Sequence, residues 1–507
     1  MRKIIFGPPG TGKTTYLLNI VEKEIKENKV FPNKIGYFAF TNQAADEALS
    51  RALQNFNYNS KDFIYFRTLH SLAFQQLHLR EENVMSDDDY DYVSKKLGIK
   101  LSNPNARVEN YGVSFPDDVF TKVIDGAKVR GLTTEHYFGF AEVGHLEGGR
   151  QKLEYIDKSI QDYKKSRNKY DFTDMIVGFN KKSEDYIPQF DVVIIDEAQD
   201  LSWLQWKMVE KIVSNAKRVY IAGDDDQAIF KFCGARPEFL INMEGERVIL
   251  NKSYRLSRLI HQKANKLICR VKDRVPKKWI GREDDGEIKF FPELQSSKLK
   301  QGEWLLLARD KYILDKLEID LKSDGVFYAR GDRTSLDKRI QSAIIAWERV
   351  RKGKPISYKE AKNLYVYIKT GKGVDKEHKA MKGADKEKMY IFEELSTDHG
   401  LKVDKELEWM RALENIKPEK RIYIQNILRR GEKITKEPRV RLSTIHGAKG
   451  GEVDNVMLFS DLGRKADEEY WRHRDSERRV FYVGMTRARH SLNIVRSRSD
   501  REFTEAF

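Results

Sequence analysis

A glycine-rich run near the start of the sequence has the residue types and spacing of a phosphate-binding loop. It fits the pattern G-x-x-x-x-G-K-[ST] and reads Gly7-Pro8-Pro9-Gly10-Thr11-Gly12-Lys13-Thr14. Glycines let backbone N–H groups approach phosphate oxygens at a helix N-terminus, where the helix dipole also favours negative charge. Lys13 would then reach the β- and γ-phosphates, and the Thr14 hydroxyl would ligate Mg²⁺. The run therefore predicts a nucleoside triphosphate site that uses magnesium.

Two adjacent carboxylates, Asp196 and Glu197, directly follow the apolar run 192–195. Sheets of α/β proteins hold ligands at the carboxyl ends of their strands, so these side chains are expected beside the phosphate loop. Asp196 would hold Mg²⁺, and Glu197 would polarise an attacking water. Carboxylates at such a position can also be plain helix caps. The presence of a phosphate loop in the same chain favours the catalytic interpretation.

The elements that must position these residues alternate between strand and helix patterns, which is typical of parallel sheets in α/β domains. A first set of strands is predicted at residues 3–6, 34–40, 192–195 and 219–222. A second set is predicted at residues 248–250, 288–291, 304–307, 440–444, 456–459 and 492–495. The sequence therefore predicts two α/β cores in tandem.

Each core is predicted to carry an insert. Residues 76–165 have a mainly helical pattern and interrupt the first core, which comprises residues 1–75 and 166–247. Residues 346–439 interrupt the second core, which comprises residues 248–345 and 440–507. This second insert has 24 Lys and Arg against 16 Asp and Glu, so its net charge of +8 is more than half of the chain's +15. Its lysines would form either a solvated surface or one that faces DNA.

Length and composition limit the class of protein. A chain of 507 residues is long enough for roughly three to four packed units, which excludes a small disulfide scaffold and a disordered tail. Its only cysteines, Cys233 and Cys269, suit a reducing compartment, and apolar runs are too short to span a membrane. We therefore expect a cytoplasmic protein without a membrane partner. The net charge of +15 favours polyanionic partners such as nucleic acid.

Ordered motifs make the sequence similar to the superfamily 1 DNA helicases of the UvrD/Rep/PcrA type. Besides the phosphate loop, the matching segments are residues 38–45, 68–71, 171–176, 196–200, 222–230, 253–255, 442–452 and 477–488. The resemblance extends from Ile4 to about Val495. It implies an α/β fold of two tandem RecA-like parallel-sheet cores, each interrupted by a mainly helical insert. The sequence resembles a compact form of the family with a shortened second insert.

The resemblance implies roles for individual residues of the nucleotide site. Gln227 would sense the γ-phosphate, and Glu452 would hold the ribose. Arg255 and Arg487 would reach the γ-phosphate from the second core. An arginine supplied by a facing domain stabilises transition-state charge only when the cleft closes, so this assignment also makes physical sense. The implied catalytic residues are therefore Glu197, Gln227, Arg255 and Arg487.

The resemblance also implies a set of DNA-binding residues. These are Phe40, Thr41, Asn42, His70, Phe232, Thr444 and His446. Phe232 and Cys233 stand where relatives often have Trp-Arg; the Phe232 ring could stack on a base or pack in the core. His446 could likewise be structural, although its motif favours a DNA contact. The glutamine-containing segment by which the family reads adenine has no counterpart ahead of Ile4.

These observations lead to one expected function and two alternatives. The resemblance implies an enzyme that uses ATP and Mg²⁺ to move 3′ to 5′ along single-stranded DNA and to unwind duplex at junctions. One alternative is an ATP-driven remodeller that displaces proteins from DNA without unwinding it. A small-molecule phosphotransferase is the other alternative, and it rests on the phosphate loop alone. ATP hydrolysis that is stimulated by DNA and needs no small-molecule acceptor would exclude the phosphotransferase.

Overall fold

The fold is given by a computed structural model that describes residues 1–56, 58–104, 118–139, 149–497 and 499–507. The first core contains six strands: β1 (Arg2–Phe6), β2 (Ile35–Ala39), β3 (Phe66–Thr68), β4 (Val192–Ile195), β5 (Arg218–Gly223) and β6 (Glu246–Ile249). They form one parallel sheet in the order β3-β2-β4-β5-β1-β6. The phosphate loop follows the fully buried end of β1, and the acidic pair follows β4, so both lie at the carboxyl edge of this sheet.

Helices cover both faces of the first sheet. They are α1 (Lys13–Lys26), α2 (Asn42–Asn55) and α3 (Leu69–Gln76), followed after the first insert by α8 (Phe172–Lys181), α9 (Trp203–Val213) and α10 (Pro237–Ile241). Two separate clusters of buried apolar side chains fill the two faces. This doubly covered parallel sheet explains why β4 consists only of buried β-branched residues.

One predicted strand belongs to the other core. We predicted residues 248–250 as the first strand of the second core, but β6 pairs in parallel with β1 at the edge of the first sheet. The boundary predicted between residues 247 and 248 therefore cuts through a strand of the first core. An edge strand has only one neighbour, and β6 is largely exposed, so its sequence carries little sign of the sheet to which it belongs.

The first insert is helical in its described part, as predicted. Its helices are α4 (Asp87–Leu97), α5 (Val119–Val129), α6 (Thr134–Phe138) and α7 (Gly149–Arg167), and the last runs two residues beyond the predicted boundary at 165. Residues 105–117 and 140–148 of this insert lie outside the described residues. The acidic run at its start forms the first turn of α4, where Ser86 and Asp89 make a capping box.

The second core is built around a seven-stranded sheet. Its strands are β7 (Glu287–Phe291), β8 (Trp304–Ala308), β9 (Tyr328–Arg330), β10 (Arg333–Thr334), β13 (Val440–Thr444), β14 (Val453–Phe459) and β15 (Ala488–Val495). The order is β10-β9-β13-β8-β14-β15-β7, with every pair parallel except the antiparallel β9 and β10. The helices packed against it are α11 (Arg258–Ile268), α12 (Lys311–Ser323), α18 (Arg464–Arg472) and α19 (Arg474–Met485).

The second insert starts earlier than predicted. Its elements are α13 (Lys338–Val350), β11 (Ile356–Ser357), α14 (Tyr358–Tyr367), β12 (Met389–Tyr390), α15 (Phe392–Thr397), α16 (Trp409–Ala412) and α17 (Pro418–Arg429). The predicted boundary at residue 346 falls inside α13. Ile340, Ile344 and Trp347 of that helix pack into the insert's apolar cluster, whose members lie between Leu336 and Ile434 apart from Phe327 of the second core. The prediction followed the shift in charge, whereas burial of this amphipathic face decides where the insert begins.

The two cores also share apolar packing. Ile229 and Phe230 of the first core lie in the same buried cluster as Leu256, Ile445 and Ala448 of the second. The carboxyl edges of the two sheets therefore meet along a cleft. Among the described residues, no helix is both long and apolar enough to cross a membrane.

Candidate active site

The phosphate loop connects β1 to α1 and is shaped by its glycines. Gly10 and Gly12 have φ angles of 72° and 74°, in the left-handed region that favours glycine, and Gly12 is the N-cap of α1. A Cβ atom at Gly10 would lie 2.2 Å from the Cβ atom of Arg255, so the second core approaches the loop as closely as glycine permits. Thr11 donates to the carbonyl of Pro8 through both its backbone N–H and its hydroxyl.

Lys13 lies between the two carboxylates that follow β4. Its Nζ atom is 2.6 Å from Oε1 of Glu197 and 3.3 Å from Oδ1 of Asp196. Burial opposes the charged form of Lys13, but the two carboxylates outweigh it and raise its pKa. Tyr37 donates a hydrogen bond of 3.1 Å to the other oxygen of Asp196. The first core thus brings together a cation that follows β1 and two anions that follow β4, two strands separated in the sheet by β5.

The two acidic residues differ in electrostatic environment and backbone geometry. Burial raises the pKa of Asp196, and the neighbouring Glu197 charge adds to the rise. Burial also opposes ionisation of Glu197, but Lys13 and Lys449 lower its pKa to about 2. Glu197 is therefore a carboxylate at neutral pH. Its φ of 55° is unusual for a residue with a side chain and marks local strain of the kind found at functional sites.

Gln227 is held from both sides of the cleft. Its Nε2 atom donates to Oδ2 of Asp224 over 2.8 Å, and its Oε1 atom accepts from Nη2 of Arg487 over 3.0 Å. Arg487 is only 1% exposed and donates its Nη1 proton to the carbonyl of Gly451 over 3.0 Å. The second-core arginine therefore already contacts the predicted γ-phosphate sensor of the first core.

Arg255 and Glu452 lie together at the second-core side of the cleft. Arg255 forms an ion pair with Glu452, which is also bound by Arg489. The Ser253 hydroxyl donates to the carbonyl of Pro9 over 2.8 Å, and the Tyr254 N–H donates to that of Gly10 over the same distance. The segment that carries Arg255 is therefore fastened to the phosphate loop itself.

All the predicted nucleotide-site residues line one cavity of about 460 Å³ between the cores. Sequence reasoning missed three further residues of this cavity: Tyr254, Asp200 and Lys449. The Tyr254 ring is 68% exposed at the cavity and offers a flat apolar surface. Lys449 pairs with Asp200 and donates to the Gln227 carbonyl over 2.7 Å. All three lie in segments that match the family motifs, and this position is the sequence feature that could have identified them.

Three of the predicted DNA-binding residues, Phe40, Phe232 and His446, form an aromatic row with Phe230 beside this cavity. The ring centroids of Phe40 and Phe230 are 6.2 Å apart, those of Phe230 and Phe232 are 6.2 Å apart, and those of Phe232 and His446 are 5.2 Å apart. Phe232 is 47% exposed, so its ring is not a core residue. Burial lowers the pKa of His446 well below its ordinary value, and nearby Arg309 and Lys449 add to the effect. His446 is therefore neutral at neutral pH.

The polar DNA-binding candidates have local structural roles. The Thr41 hydroxyl accepts from the Ala44 N–H and caps α2, whose first residue is the exposed Asn42. The Thr444 hydroxyl accepts from the Gly447 N–H over 3.0 Å. These contacts fix the two hydroxyls in place and leave their roles toward DNA a prediction.

His70 lies apart from the aromatic row, on its first-insert side. Its ring is 5.6 Å from that of Phe172, and it lines a separate cavity of about 100 Å³ with Phe40 and Phe230. Burial lowers the pKa of His70 to about 4, with Asp171 opposing the shift. His70 is thus also neutral at neutral pH.

Comparison with known proteins identifies the family. The UvrD/REP helicase N-terminal domain matches residues 2–247, and the UvrD-like helicase C-terminal domain matches residues 338–499. A probable DNA helicase II homolog of Mycoplasma genitalium is 22% identical over 97% of this chain and 82% of its own length.

Other relatives match over a smaller part of their length. DNA helicase II of Haemophilus influenzae is 26% identical over 58% of this chain and 42% of its own length. The ATP-dependent DNA helicase PcrA of Leuconostoc citreum is 25% identical over 57% and 40% respectively. The matches to these two relatives thus span less than half of each. With both family domains matched in order, the chain belongs to the UvrD/Rep family and is an ATP-dependent DNA helicase.

Proposed function

We propose that this helicase hydrolyses Mg²⁺-ATP in the cleft between its cores and thereby moves 3′ to 5′ along single-stranded DNA, unwinding duplex at junctions. The observation that carries the proposal is the shared lining of one cavity. The phosphate loop, both carboxylates and both arginines line it, and so do Phe40 and Phe230 of the aromatic row. A change in the shape of the cleft would therefore also move Phe40 and Phe230, and with them the aromatic row that is proposed to bind DNA.

The residues present fit a magnesium ion. Thr14 and Asp196 line the same cavity and supply a hydroxyl and a carboxylate, which are the hard oxygen ligands that Mg²⁺ prefers alongside phosphate and water. When bound, the ion would neutralise charge on the β- and γ-phosphates. The protein's contribution is to keep Asp196 buried and oriented, which Tyr37 does through its hydrogen bond.

In the proposed reaction, ATP binding separates Lys13 from Glu197. The β- and γ-phosphates compete with Glu197 for Lys13, because both are anions within reach of the same ammonium group. Glu197 then becomes available to orient water for attack on the γ-phosphorus and to accept its proton, while the bond to the bridging oxygen breaks and ADP leaves. Burial opposes ionisation of Glu197, and Lys13 supplies the largest effect that lowers its pKa. When Lys13 turns to the phosphates, the pKa of Glu197 should therefore rise, which would make it a better proton acceptor.

The second core supplies positive charge to the same reaction. Arg487 and Arg255 line the cavity opposite the phosphate loop, and an arginine fixed in a low-dielectric cleft stabilises charge on the transferred phosphoryl group. Arg487 contacts Gln227, whereas Arg255 is paired with Glu452. Arg255 must therefore leave or share that partner when it turns toward phosphate.

Lys449 connects ATP turnover to the aromatic row. Its ammonium group contacts Asp200 and the Gln227 carbonyl on one side and lies 4.9 Å from the centroid of the Phe230 ring on the other. Bases that stack on Phe232 and its neighbours resist slippage, while contacts from Thr444 to phosphate can form and break as the cleft cycles. The direction of movement, 3′ to 5′, is supported by the resemblance to the UvrD-type branch.

Unwinding of two partial duplexes tests the proposal. One carries a 3′ single-stranded tail and the other a 5′ tail, and both are mixed with equal enzyme and ATP. Faster unwinding of the 3′-tailed substrate supports the proposed direction, and preference for the 5′-tailed substrate overturns it. Displacement of a tightly bound protein from a single strand, without unwinding of either duplex, would instead support the remodeller alternative. The Lys13→Ala variant is the control for ATP dependence in both assays.

A further inference from the structure

A loop of the second core reaches into the first core and ends in a buried ionic cluster. Lys277, which lies between α11 and β7, has a side chain that is 0% exposed. Its Nζ atom is 3.2 Å from Oδ1 of Asp224, 2.7 Å from Oδ1 of Asp225 and 2.8 Å from Oδ2 of Asp226. Three consecutive aspartates of the first core thus surround one ammonium group of the second.

Arg274 and Val275 fasten the same loop. The Arg274 guanidinium binds both oxygens of Asp226, with Nε at 2.8 Å and Nη2 at 2.6 Å. The Val275 N–H donates to Asp225 over 2.9 Å, and its side chain lies in the apolar cluster of the first core. The cluster of three carboxylates and two cations has a net charge of −1, so removal of Lys277 would leave most of it uncompensated.

Asp224 connects the buried ionic cluster to the ATP site, because it contacts both Lys277 and Gln227. One of its oxygens faces Lys277, and the other accepts from Nε2 of Gln227. A carboxylate can only accept hydrogen bonds, so the Gln227 amide must turn its NH₂ group toward Asp224. The amide oxygen then faces Arg487. Arg487 therefore contacts Gln227 directly, and Lys277 faces it only through Asp224; both cations come from the second core.

We propose that Lys277 is a positioning residue that acts through Asp224 to fix the orientation of Gln227, so that the placement of the second core sets the rate of ATP turnover. The inference deepens the proposed function and rests on the proposed role of Gln227. Lys277 is buried behind Asp224 and is not among the residues that line the cavity, so it should touch neither ATP nor DNA. Its loss should slow the chemical step and leave ATP binding by the phosphate loop intact.

The test is a double-mutant cycle of DNA-stimulated ATP hydrolysis. The variants are Lys277→Met, Gln227→Ala and the pair combined, with kcat and KM for ATP measured for each. We expect Lys277→Met to lower kcat by about tenfold or more with KM within about twofold, since it removes an orientation and not a binding contact. In the Gln227→Ala background the same change should have little further effect, because both act on one amide.

Three further variants separate positioning from stability. Lys277→Arg keeps the charge and should restore part of kcat. Arg274→Met removes a cation from the same cluster without touching Asp224, and its kcat should stay within about threefold of wild type at temperatures where it is folded. Asp224→Asn leaves two carboxylates and two cations, so the net charge of the cluster becomes zero. This variant should therefore fold even under conditions in which Lys277→Met does not. It should lower kcat by the same mechanism.

The outcomes distinguish this inference from the proposed function. Equal losses of kcat from Lys277→Met in the wild-type and Gln227→Ala backgrounds overturn the inference. Wild-type kcat in Asp224→Asn beside a slow Gln227→Ala also overturns it and leaves the proposed role of Gln227 in place. Wild-type turnover in Gln227→Ala removes both.

Discussion

The two faces of the ATP cleft are built in different ways. On the first-core face, Lys13 forms ion pairs with Asp196 and Glu197, and all three residues lie at the carboxyl edge of a single sheet. On the second-core face, Arg255 is held by Glu452 of its own core, while Arg487 reaches across to Gln227. The ion pairs of the first face lie within its own core, whereas the second face has one arginine paired within its core and one that contacts the opposite core.

This difference indicates what each face contributes. Under the proposed function, the first-core face would bind phosphate whatever the position of the second core, because its charges come from one core. The second-core arginines would contribute only when the cores are correctly placed, and Arg487 depends on that placement through its contact with Gln227. Variants of the first face should therefore abolish turnover, and variants of the second should show how far turnover depends on the approach of the two cores.

Lys13→Ala should have the largest effect. It removes the ammonium group that lies between the two carboxylates and that would neutralise the β- and γ-phosphates, so ATP hydrolysis should fall below detection. Binding of single-stranded DNA should persist, because Lys13 does not belong to the aromatic row. Steady-state hydrolysis, DNA binding and thermal melting check these points. Near-normal hydrolysis would show that the cleft is not the ATP site.

Arg487→Ala and Arg255→Ala test the second face. Each should lower turnover, by up to ~10³–10⁵ for an arginine that fully stabilises the transferred phosphoryl group. Arg487→Ala should have the larger effect, because Arg487 already contacts Gln227 whereas Arg255 is shared with Glu452. Hydrolysis rates at saturating ATP and DNA provide the measurement.

Arg489→Ala is the matched control for these variants. Arg489 also pairs with Glu452 but is partly exposed and lies outside the set of residues that lines the cavity. Its loss should change turnover little. Wild-type hydrolysis by both Arg487→Ala and Arg255→Ala would contradict the comparison of the two faces.

Phe232→Ala should have a smaller and more selective effect. Its half-exposed ring should contribute about 1–3 kcal/mol to binding of single-stranded DNA by stacking on a base, with hydrolysis in the absence of DNA little changed. Equilibrium titration with a labelled oligonucleotide measures the loss.

Phe290→Ala provides a control of similar exposure. Phe290 is 49% exposed but lies in β7 at the edge of the second sheet, away from the aromatic row. It should leave DNA affinity unchanged. A lower melting temperature for Phe232→Ala with wild-type affinity would show that the ring supports packing and not DNA.

Lysines of the second insert should have the smallest effect per residue. Lys369, Lys376, Lys382 and Lys386 are exposed on the stretch of the insert between α14 and β12. If they contact phosphate, each Lys→Gln change should reduce the slope of log affinity against log salt for a junction substrate by about one. Changing exposed Lys23 and Lys26 of α1 provides the control. An unchanged slope would identify the insert's lysines as a solvated surface.

The sequence predicts the first-core face better than the second. The phosphate loop and the acidic pair each follow a short apolar strand, and the parallel sheet brings them together because both lie at strand ends. Arg255 and Arg487 were reached only through the family resemblance, since a single arginine carries no local pattern. The contact between Arg487 and Gln227 depends on how the two cores approach, whereas Arg255 meets Glu452 within the second core.

The errors in the predicted fold have similar causes. Strand β6 was assigned to the wrong core because an exposed edge strand carries no sign of its neighbour. The start of the second insert was placed inside α13 because charge changes there, whereas the apolar cluster of the insert already includes Leu336 and Ile340. Lys277 was not predicted at all. Its burial against three aspartates is a long-range contact that spacing along the chain cannot reveal.

The most direct test of the account is the rate of ATP hydrolysis by the wild-type protein alone and with single-stranded DNA, single-stranded RNA or blunt duplex. The cleft shares Phe40 and Phe230 with the aromatic row, and Lys449 joins Phe230 to Gln227. Single-stranded DNA should therefore accelerate hydrolysis strongly, and blunt duplex should do so much less. A rate that is the same with and without single-stranded DNA would contradict the coupling of the ATP cleft to a DNA track.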